Sequence, residues 1–304
     1  MRVSKGNIYL SKEKYKDILR YDNVDYIIKS LNDRFSKSKG GNSNVFLIED
    51  PQEGTEYVIK FSKYNLNDKG GVANYWDRIE RFEREIEALN IARDSEFEFV
   101  VKILFDGNYD IGNQSFRYFI MEKAGSDLTD YLKNTELTIQ QRFLICTEIL
   151  SGIKELHSKH IYHRDIKPDN ILFVNGTWKI SDLGLIGHRD DDFKAKEVGM
   201  KIGPANWMSP EAFNKMYNEG SDYKNIHGFD CNLDDQSDIF QLGKLFWFIF
   251  QGNVPDGQLI RNDFKIEDDH VFEVLLNMLS HSKARPTIEG IEAEFEKSYS
   301  VYII

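Results

Sequence analysis

The segment that most constrains this chain covers residues 163–170 and reads HRDIKPDN. An amphipathic helical pattern precedes it and a hairpin pattern follows it, so it is predicted to be a loop held between two regular elements. Asp165 could accept or orient a hydroxyl proton, and Lys167 could neutralise a phosphate in transfer. Asn170, five residues after the aspartate, is a suitable oxygen ligand for Mg²⁺. The segment therefore indicates phosphate chemistry.

This segment resembles the HRDxKxxN catalytic loop of the eukaryotic-type protein kinases, and every fixed position of that pattern is matched. A DLG triplet begins at Asp182, twelve residues after Asn170, and resembles the family's metal-binding DFG triplet. The resemblance implies that Asp165 is the catalytic base and that Lys167 lies at the γ-phosphate of ATP. It also implies that Asn170 and Asp182 bind two Mg²⁺ ions. Alone, either motif could be an ordinary polar loop or turn; in register they favour a kinase.

The residues before 123 predict a mostly antiparallel sheet with one long helix. An amphipathic helix is predicted over 76–92. Residues 1–25 are polar with scattered aromatic side chains, and we expect an N-terminal extension with a short helix. Strand patterns separated by turn residues lie at 26–34, 44–49, 56–61, 100–105 and 116–121.

Beyond residue 123 the chain is predicted to be mainly helical. Helical patterns occupy 128–133 and 139–157, a hairpin surrounds the turn at 175–176, and more helices follow from about 210. A sheet-rich half followed by a helical half predicts an α+β, bilobal fold with a ligand-binding cleft between the lobes.

The resemblance gives the same architecture as the element patterns. It implies a kinase N-lobe over 26–123 with a small antiparallel sheet and one helix, and a mainly helical C-lobe over 124–304. Together these form one kinase domain of about 26–295, and residues 1–25 precede it as the extension.

The resemblance also assigns a phosphate-binding lysine. Lys60 ends the strand sequence YVIK and is similar to the family's VAIK lysine, which binds the α- and β-phosphates while paired with a helix glutamate. Only one face of the predicted helix can point at this lysine. Glu85 lies nearest the apolar stripe and fits the family register, so we expect it to be the partner. A solvated helix face is the alternative for each glutamate on this helix: Glu80, Glu83, Glu85 and Glu87.

The loop that would cover the phosphates is the least regular of the motifs. The family pattern GxGxxGxV falls on Ser38, Gly40, Ser43 and Val45, so only the central glycine and the valine are kept. The segment is small and its amides could approach phosphates, although alone it would be an ordinary hairpin turn. The other residues expected to bind ATP are Gly41, Val58, Lys60, Met121, Glu122, Ala124 and Leu172.

The stretch 182–204 contains no Ser, Thr or Tyr. Family members with an arginine before the catalytic aspartate, here Arg164, often need a phosphate in this stretch to order it. We therefore expect a kinase that is not switched by phosphorylation of this segment. One hypothesis is that Glu197 replaces the phosphate opposite Arg164. A solvated acidic loop is the alternative, above all for the aspartates at 190–192.

The residue before the peptide-binding floor bears on the choice of acceptor. Pro204 follows Gly203 and replaces the threonine that usually follows this glycine in serine/threonine kinases. The serine/threonine preference implied by the resemblance therefore depends mainly on Lys167. We expect protein substrates with Ser or Thr acceptors, and autophosphorylation at Ser36, Ser38 or Ser43.

Two further matches to the family concern the fold rather than the chemistry. Glu211, in the segment MSPE, would form a buried ion pair with Arg285. Asp238 matches the aspartate that opens the central buried helix and holds the backbone of the catalytic loop. With these, the matched motifs run in family order along nearly the whole chain.

Composition limits the cellular location and the classes of partner that we expect. The formal charge of −11 argues against nucleic acid or an anionic membrane surface as a partner. Cys146 and Cys231 are the only cysteines, with no paired spacing, which indicates neither zinc nor disulfides and fits a reducing, cytoplasmic location. The charged first sixteen residues contain no apolar signal region, and no apolar run is long enough to span a membrane.

Two other classes of function are weighed against an active protein kinase. A pseudokinase that signals by contact would have lost Lys60, Asp165 or Asp182, and all three are present. A small-molecule phosphotransferase of kinase-like fold would usually lack Lys167 and the MSPE segment at 208–211, and both are present.

Overall fold

The computed structural model describes residues 1–13, 16–31, 43–67, 75–188, 199–219 and 227–302. The chain forms two compact units, one of Met1–Ser95 with Val101–Lys123 and one of Glu96–Val100 with Ala124–Ile304. The first is built mainly from strands with one long helix, and the second mainly from helices. This distribution confirms the predicted α+β fold with a sheet lobe and a helical lobe.

The first unit contains a six-stranded antiparallel sheet, a separate two-stranded hairpin and one helix. The hairpin pairs β1 with β2, and the order in the large sheet is β3-β4-β5-β6-β8-β7. The elements are β1 (Arg2–Ser4), β2 (Asn7–Tyr9), β3 (Ile18–Tyr21), β4 (Val24–Lys29), β5 (Ser43–Asp50), β6 (Thr55–Asn65), α1 (Tyr75–Asp94), β7 (Ile103–Ile111) and β8 (Gln114–Glu122).

The two edge strands of this sheet, β3 and β7, contact each other. The hydroxyl of Tyr109 donates a hydrogen bond to the carbonyl of Ile18 at 3.0 Å, and the ring of Tyr21 stacks on Phe105 with centroids 3.7 Å apart. The sheet therefore curls around an apolar interior, which covers edges that would otherwise be open to pairing. Its buried residues are Ile8, Leu19, Ile28, Ile48, Ile59, Phe61, Phe105, Ile111, Phe116, Tyr118 and Ile120.

The helix expected within residues 1–25 is wrong, because these residues form strands β1 to β3 and begin β4. Asp22 and Asn23, between β3 and β4, both have positive φ, 46° and 63°. Two such residues make the tight turn that favours a two-residue hairpin. The Asp22-Asn23 pair is the sequence signal for this hairpin. The strands on either side are short, so the alternation that would have identified them as strands was weak.

The second unit contains six α-helices and five short strands within the described residues, besides short 3-10 and π-helical turns. Strands β9, β11 and β12 form one small sheet and β10 pairs with β13. The elements are β9 (Ser126–Asp127), α2 (Leu128–Asn134), α3 (Ile139–Ser158), β10 (Ile161–Tyr162), β11 (Ile171–Val174), β12 (Thr177–Ile180), β13 (Gly187–His188), α4 (Pro210–Asn214), α5 (Asp235–Gln251), α6 (Asp269–Met278) and α7 (Ile288–Val301).

Helix α5 is the centre of this unit. Most of its residues are buried, it begins after Asp234, whose side chain accepts the N–H of Gln236, and it ends at Gly252 in a left-handed conformation. Helix α3 begins with a capping box in which Thr138 and Gln141 bind each other's backbone N–H groups. No helix among the described residues has the length and apolarity needed to cross a membrane.

Candidate active site

The catalytic loop predicted from the sequence lies between β10 and β11, and its backbone is held by side chains of α5. Asp238, fully buried on α5, accepts the N–H groups of His163 at 2.7 Å and Arg164 at 2.8 Å. It also hydrogen-bonds to the ring of His157 at 2.9 Å. Burial alone would raise the pKa of Asp238, but the hydrogen bond and charge of His157 outweigh it, and the pKa is lowered. A charged carboxylate therefore holds the loop backbone.

The two carboxylate oxygens of Asp165 differ in their hydrogen bonds. Oδ2 accepts hydrogen bonds from Lys167 Nζ at 2.6 Å and Asn170 Nδ2 at 3.0 Å. Oδ1 is buried and has no hydrogen-bond partner. Burial raises the pKa of Asp165, and the nearby charge of Lys167 opposes that shift without cancelling it. The site thus combines a fixed oxygen with a second oxygen that is free to bind a hydroxyl group.

Asn170 and Asp182 are brought close by a residue that the sequence analysis missed. The carbonyl of Asn170 accepts both the N–H and the hydroxyl of Ser181 at 2.9 Å. Ser181 immediately precedes Asp182, so the two predicted metal ligands are tied to each other through it. The neighbouring His163 accepts the N–H of Asp165 at Nδ1, and its Nε2 lies 3.1 Å from the Ser181 carbonyl, to which it donates. The position of His163 in the motif did not predict its contact with Ser181.

The donor set of these two residues fits Mg²⁺. The Nδ2 of Asn170 is bound to Asp165, which orients the amide and leaves its Oδ1 as the available ligand atom. Asp182 is an exposed carboxylate in a left-handed conformation, with φ of 57°. Mg²⁺ is commonly held by one or two protein oxygens together with substrate phosphates, so a third acidic ligand is not required. Among the described residues, no group of three or more His, Cys, Asp or Glu could hold a metal.

Arg164 is nearly fully buried, with 3% of its surface exposed, and adopts positive φ, 64°. Its Nε donates to the carbonyl of Leu233 at 3.3 Å. A Cβ on Gly187 would overlap the guanidinium, so only glycine leaves room for it at that position. The residues proposed to oppose Arg164, namely Glu197 and 190–192, lie outside the described residues.

In the first unit, Lys60 on β6 forms an ion pair with Glu85 on α1. The distance from Nζ to Oε1 is 2.6 Å, and the side chains are only 12% and 4% exposed. Of the other glutamates on α1, Glu83 instead binds Arg117 and Glu87 is exposed. The structure therefore brings Lys60 together with the glutamate that the sequence analysis favoured.

Part of the expected nucleotide pocket lies on the same sheet face as Lys60. Val45 is the cross-strand partner of Lys60, and Val58 is paired with Met121. Because alternate residues of a strand share a face, these side chains, with Ser43, lie on one side of the sheet. The opposite side faces the apolar interior.

Other expected pocket residues are placed differently. Glu122 points to the other face of β8, and its carboxylate accepts the N–H of Lys102 at 2.8 Å. Ala124 and Leu172 belong to the second unit, where Leu172 on β11 pairs with Asp127 and Lys179. The predicted loop residues Ser38, Gly40 and Gly41 lie outside the described residues.

The predicted buried ion pair of the helical unit is confirmed. Arg285 donates to both carboxylate oxygens of Glu211, at 2.8 and 3.2 Å, and both side chains are at most 5% exposed. Arg285 also binds the carbonyl of Gln236 at 2.6 Å, which joins this pair to the first turn of α5. The start of α5, and with it Asp238, is fixed by the pair.

Motifs of the protein kinase type are present in both units, Lys60 and Glu85 in the first and the catalytic-loop motif in the second. The family model described as protein kinase domain matches residues 38–297. The chain therefore belongs to the eukaryotic-type protein kinase family, which confirms the resemblance drawn from its motifs.

Three relatives illustrate the breadth of this similarity. The serine/threonine-protein kinase CLA4 of Candida albicans is 33% identical over 220 residues, 71% of this chain and 20% of the relative. The dual specificity protein kinase TTK of Mus musculus is 26% identical over 230 residues, 75% of this chain and 25% of the relative. The probable serine/threonine-protein kinase PknB of Lactococcus lactis is 31% identical over 223 residues, 71% of this chain and 31% of the relative. The match thus spans no more than about a third of these relatives' length.

Proposed function

We propose that this protein is an ATP-dependent serine/threonine protein kinase that transfers the γ-phosphate to hydroxyl groups of proteins. The observation that carries the proposal is the carboxylate of Asp165, with Oδ2 held by Lys167 and Asn170 and Oδ1 buried without a partner. A buried oxygen without a donor is costly unless a ligand supplies one. An acceptor hydroxyl is such a donor.

Each residue then has a defined part in the transfer. Asp165 accepts the hydrogen bond of the acceptor hydroxyl and orients its oxygen toward the phosphate. Lys167 supplies positive charge at the γ-phosphate, and Lys60, held by Glu85, binds the α- and β-phosphates. Asn170 and Asp182 would hold Mg²⁺, which would neutralise phosphate charge. Positioning and electrostatics supply most of the rate in such sites.

The choice of acceptor is supported by Lys167 and by two relatives named as serine/threonine kinases. Pro204 supplies no hydroxyl where the family usually has threonine, and one relative is named as a dual specificity kinase. We therefore propose Ser and Thr as the main acceptors on protein substrates. Autophosphorylation at Ser36, Ser38 or Ser43 is part of the same proposal.

We further propose that activity does not require phosphorylation of the segment 182–204, which contains no hydroxyl-bearing residue. Two contacts support this: the Leu233 carbonyl on Arg164, and an apolar cluster that joins the end of this segment to α4 and Leu233. Burial of apolar side chains can order a segment without a phosphate. The cluster contains Ile202, Met208, Ala212 and Leu233, with Leu185, Met200, Phe213 and Met216 packed against it. Glu197 as a substitute for the phosphate remains a separate hypothesis, tested by Glu197→Ala.

A cytoplasmic location is also proposed. Its support is compositional: the chain has only two cysteines, Cys146 and Cys231, without paired spacing, as expected in a reducing compartment. Fractionation of cells that express the tagged protein would test it, and recovery outside the cytoplasm would contradict it.

The test is incubation of the purified protein with Mg²⁺-ATP, alone and with myelin basic protein, followed by mapping of the phosphorylated residues. Asp165→Asn should reduce phosphate incorporation by about 10²–10⁴-fold, because the carboxylate that orients the hydroxyl becomes a neutral amide. Asp169→Asn is the matched control, since this loop carboxylate is exposed and binds Thr129. Undiminished incorporation by Asp165→Asn would refute the mechanism. A wild-type protein that binds ATP but transfers nothing would favour the pseudokinase alternative.

A further inference from the structure

Gln241 on α5 makes two hydrogen bonds to the catalytic loop. Its side-chain oxygen accepts the N–H of Ile166 at 2.9 Å, and its side-chain nitrogen donates to the carbonyl of Arg164 at 3.0 Å. These two backbone groups lie immediately before and after Asp165. The side-chain amide therefore spans the residue that carries the catalytic carboxylate.

Gln241 lies three residues after Asp238 on α5, and residues three apart in a helix share a face. Asp238 accepts the N–H groups of His163 and Arg164. Gln241 binds the carbonyl of Arg164 and the N–H of Ile166. Four backbone groups of the loop are thus held from one helix face. Arg164 has positive φ, which a non-glycine residue adopts only when its surroundings impose it.

The burial of Gln241 is informative because its neighbours on α5 are apolar. Gln241 is 1% exposed, and Ile239, Leu242 and Leu245 are equally buried. A polar side chain in such a position is unfavourable unless its hydrogen bonds are made. Here both ends of the amide are used, and both bonds go to the backbone around Asp165.

The side-chain nitrogen of Gln241 and Oδ1 of Asp165 both lie close to Gly203. A Cβ on Gly203 would lie 3.8 Å from Oδ1 of Asp165 and 3.9 Å from Nε2 of Gln241. Gly203 has φ of 84°, so a side chain is disfavoured there on conformational grounds as well. A displacement of the loop at Gln241 would therefore alter the geometry at Oδ1 itself.

We propose that Gln241 is a positioning residue for the phosphoryl transfer, and that it fixes the backbone on both sides of Asp165 so that Oδ1 meets the acceptor hydroxyl. This inference rests on the proposed role of Asp165 as the catalytic base. Gln241 acts through Asp165, because both hydrogen bonds of its side chain go to the backbone on either side of that residue. Its loss should therefore reduce turnover more than ATP binding.

The test is Gln241→Met, which keeps the length of the side chain and removes both hydrogen bonds. We expect kcat for phosphorylation of myelin basic protein to fall between about tenfold and a hundredfold, as expected for a displaced catalytic group. The KM and the directly measured Kd for ATP should stay within about twofold of wild type, because a local change at Asp165 leaves the nucleotide contacts in place. Ile249→Ala, a buried change two turns further along α5, is the control for general destabilisation.

The outcomes separate this inference from the proposed function. A kcat of Gln241→Met equal to that of Ile249→Ala at the same folded fraction would show a merely structural role and overturn the inference. If Gln241→Met does not fold, Gln241→Asn decides in the same way, since it is polar but one methylene too short to span both backbone groups. An inactive wild type would instead refute the proposed function, whereas an active wild type with a fully active Gln241 variant refutes only this inference.

Discussion

At the residue scale, the ion pair with Lys60 distinguishes Glu85 from the other glutamates on α1. Glu85→Gln should lower kcat/KM for ATP by about tenfold to a hundredfold, because the lysine loses the carboxylate that orients it toward the phosphates. Glu87→Gln is the matched control, since it removes an exposed carboxylate two residues further along the same helix, on a different face. Steady-state kinetics with varied ATP measures both, and an equal effect of the two substitutions would contradict the assignment.

Asp238 gives a prediction for the pH dependence of stability. Its pKa is lowered in the folded protein, so its stabilisation is present above the ordinary value of 3.8 and is lost as the pH falls through the lowered pKa. Asp238→Asn should lower the free energy of unfolding by roughly 3 kcal/mol at pH 7, because N–H groups of the loop lose their charged acceptor. The difference from wild type should narrow below pH 3.8.

Denaturant unfolding across this pH range measures the difference directly. Asp169→Asn, an exposed loop carboxylate, is the control and should change stability little at any pH. A gap between wild type and Asp238→Asn that stays constant down to the acid limit would contradict the role of the charged carboxylate.

How far the sequence predicts the site depends on whether a residue acts within its own motif. Lys167 and Asn170 act locally, within five residues of Asp165, and motif spacing was sufficient to find them. Ser181 and Gln241 act on backbone groups 11 and 75 residues away, and such contacts arise only from the tertiary arrangement. No local pattern marks a serine or a buried glutamine for such a role.

At the scale of elements, strand β3 of the N-terminal extension is an integral part of the first unit's six-stranded sheet. Leu19 on β3 is 3% exposed and belongs to the apolar interior, whereas its neighbour Ile18 is 42% exposed. Leu19→Ala should therefore lower the free energy of unfolding by about 2–5 kcal/mol through lost packing. Ile18→Ala, the matched control on the other face of the strand, should change it by less than about 0.5 kcal/mol. Thermal or denaturant unfolding distinguishes the two, and equal effects would contradict the buried placement of β3.

The predicted elements agree best with the structure where the pattern is long or the turn is strong. The helix over 139–157 and the strand over 171–174 match α3 and β11 to within one residue, because a long apolar stripe and an Asn-Gly turn leave little freedom. The strand expected at 100–105 is instead Ile103–Ile111. There Val100 and Val101 are buried before the strand begins, and Val100 makes only an isolated parallel bridge to Ile180 of the second unit. Their apolar character therefore reflects tertiary contacts and not membership of this strand.

At the scale of the whole molecule, the formal charge of −11 should influence which substrates approach. A net negative protein attracts peptides rich in Lys and Arg and repels acidic ones, and this steering weakens as salt shortens the Debye length to a few ångströms. We expect kcat/KM for a basic Ser-containing peptide to exceed that for an acidic one of equal length by several-fold at low ionic strength. Raising the salt from about 0.05 to 0.5 M should reduce that ratio mainly through the KM of the basic peptide, since Asp165, the proposed base, is buried and therefore screened little by salt. A neutral peptide with the same acceptor is the control and should show little salt dependence. If all three peptides responded alike to salt, the preference would have to come from local contacts near the acceptor rather than from the overall charge.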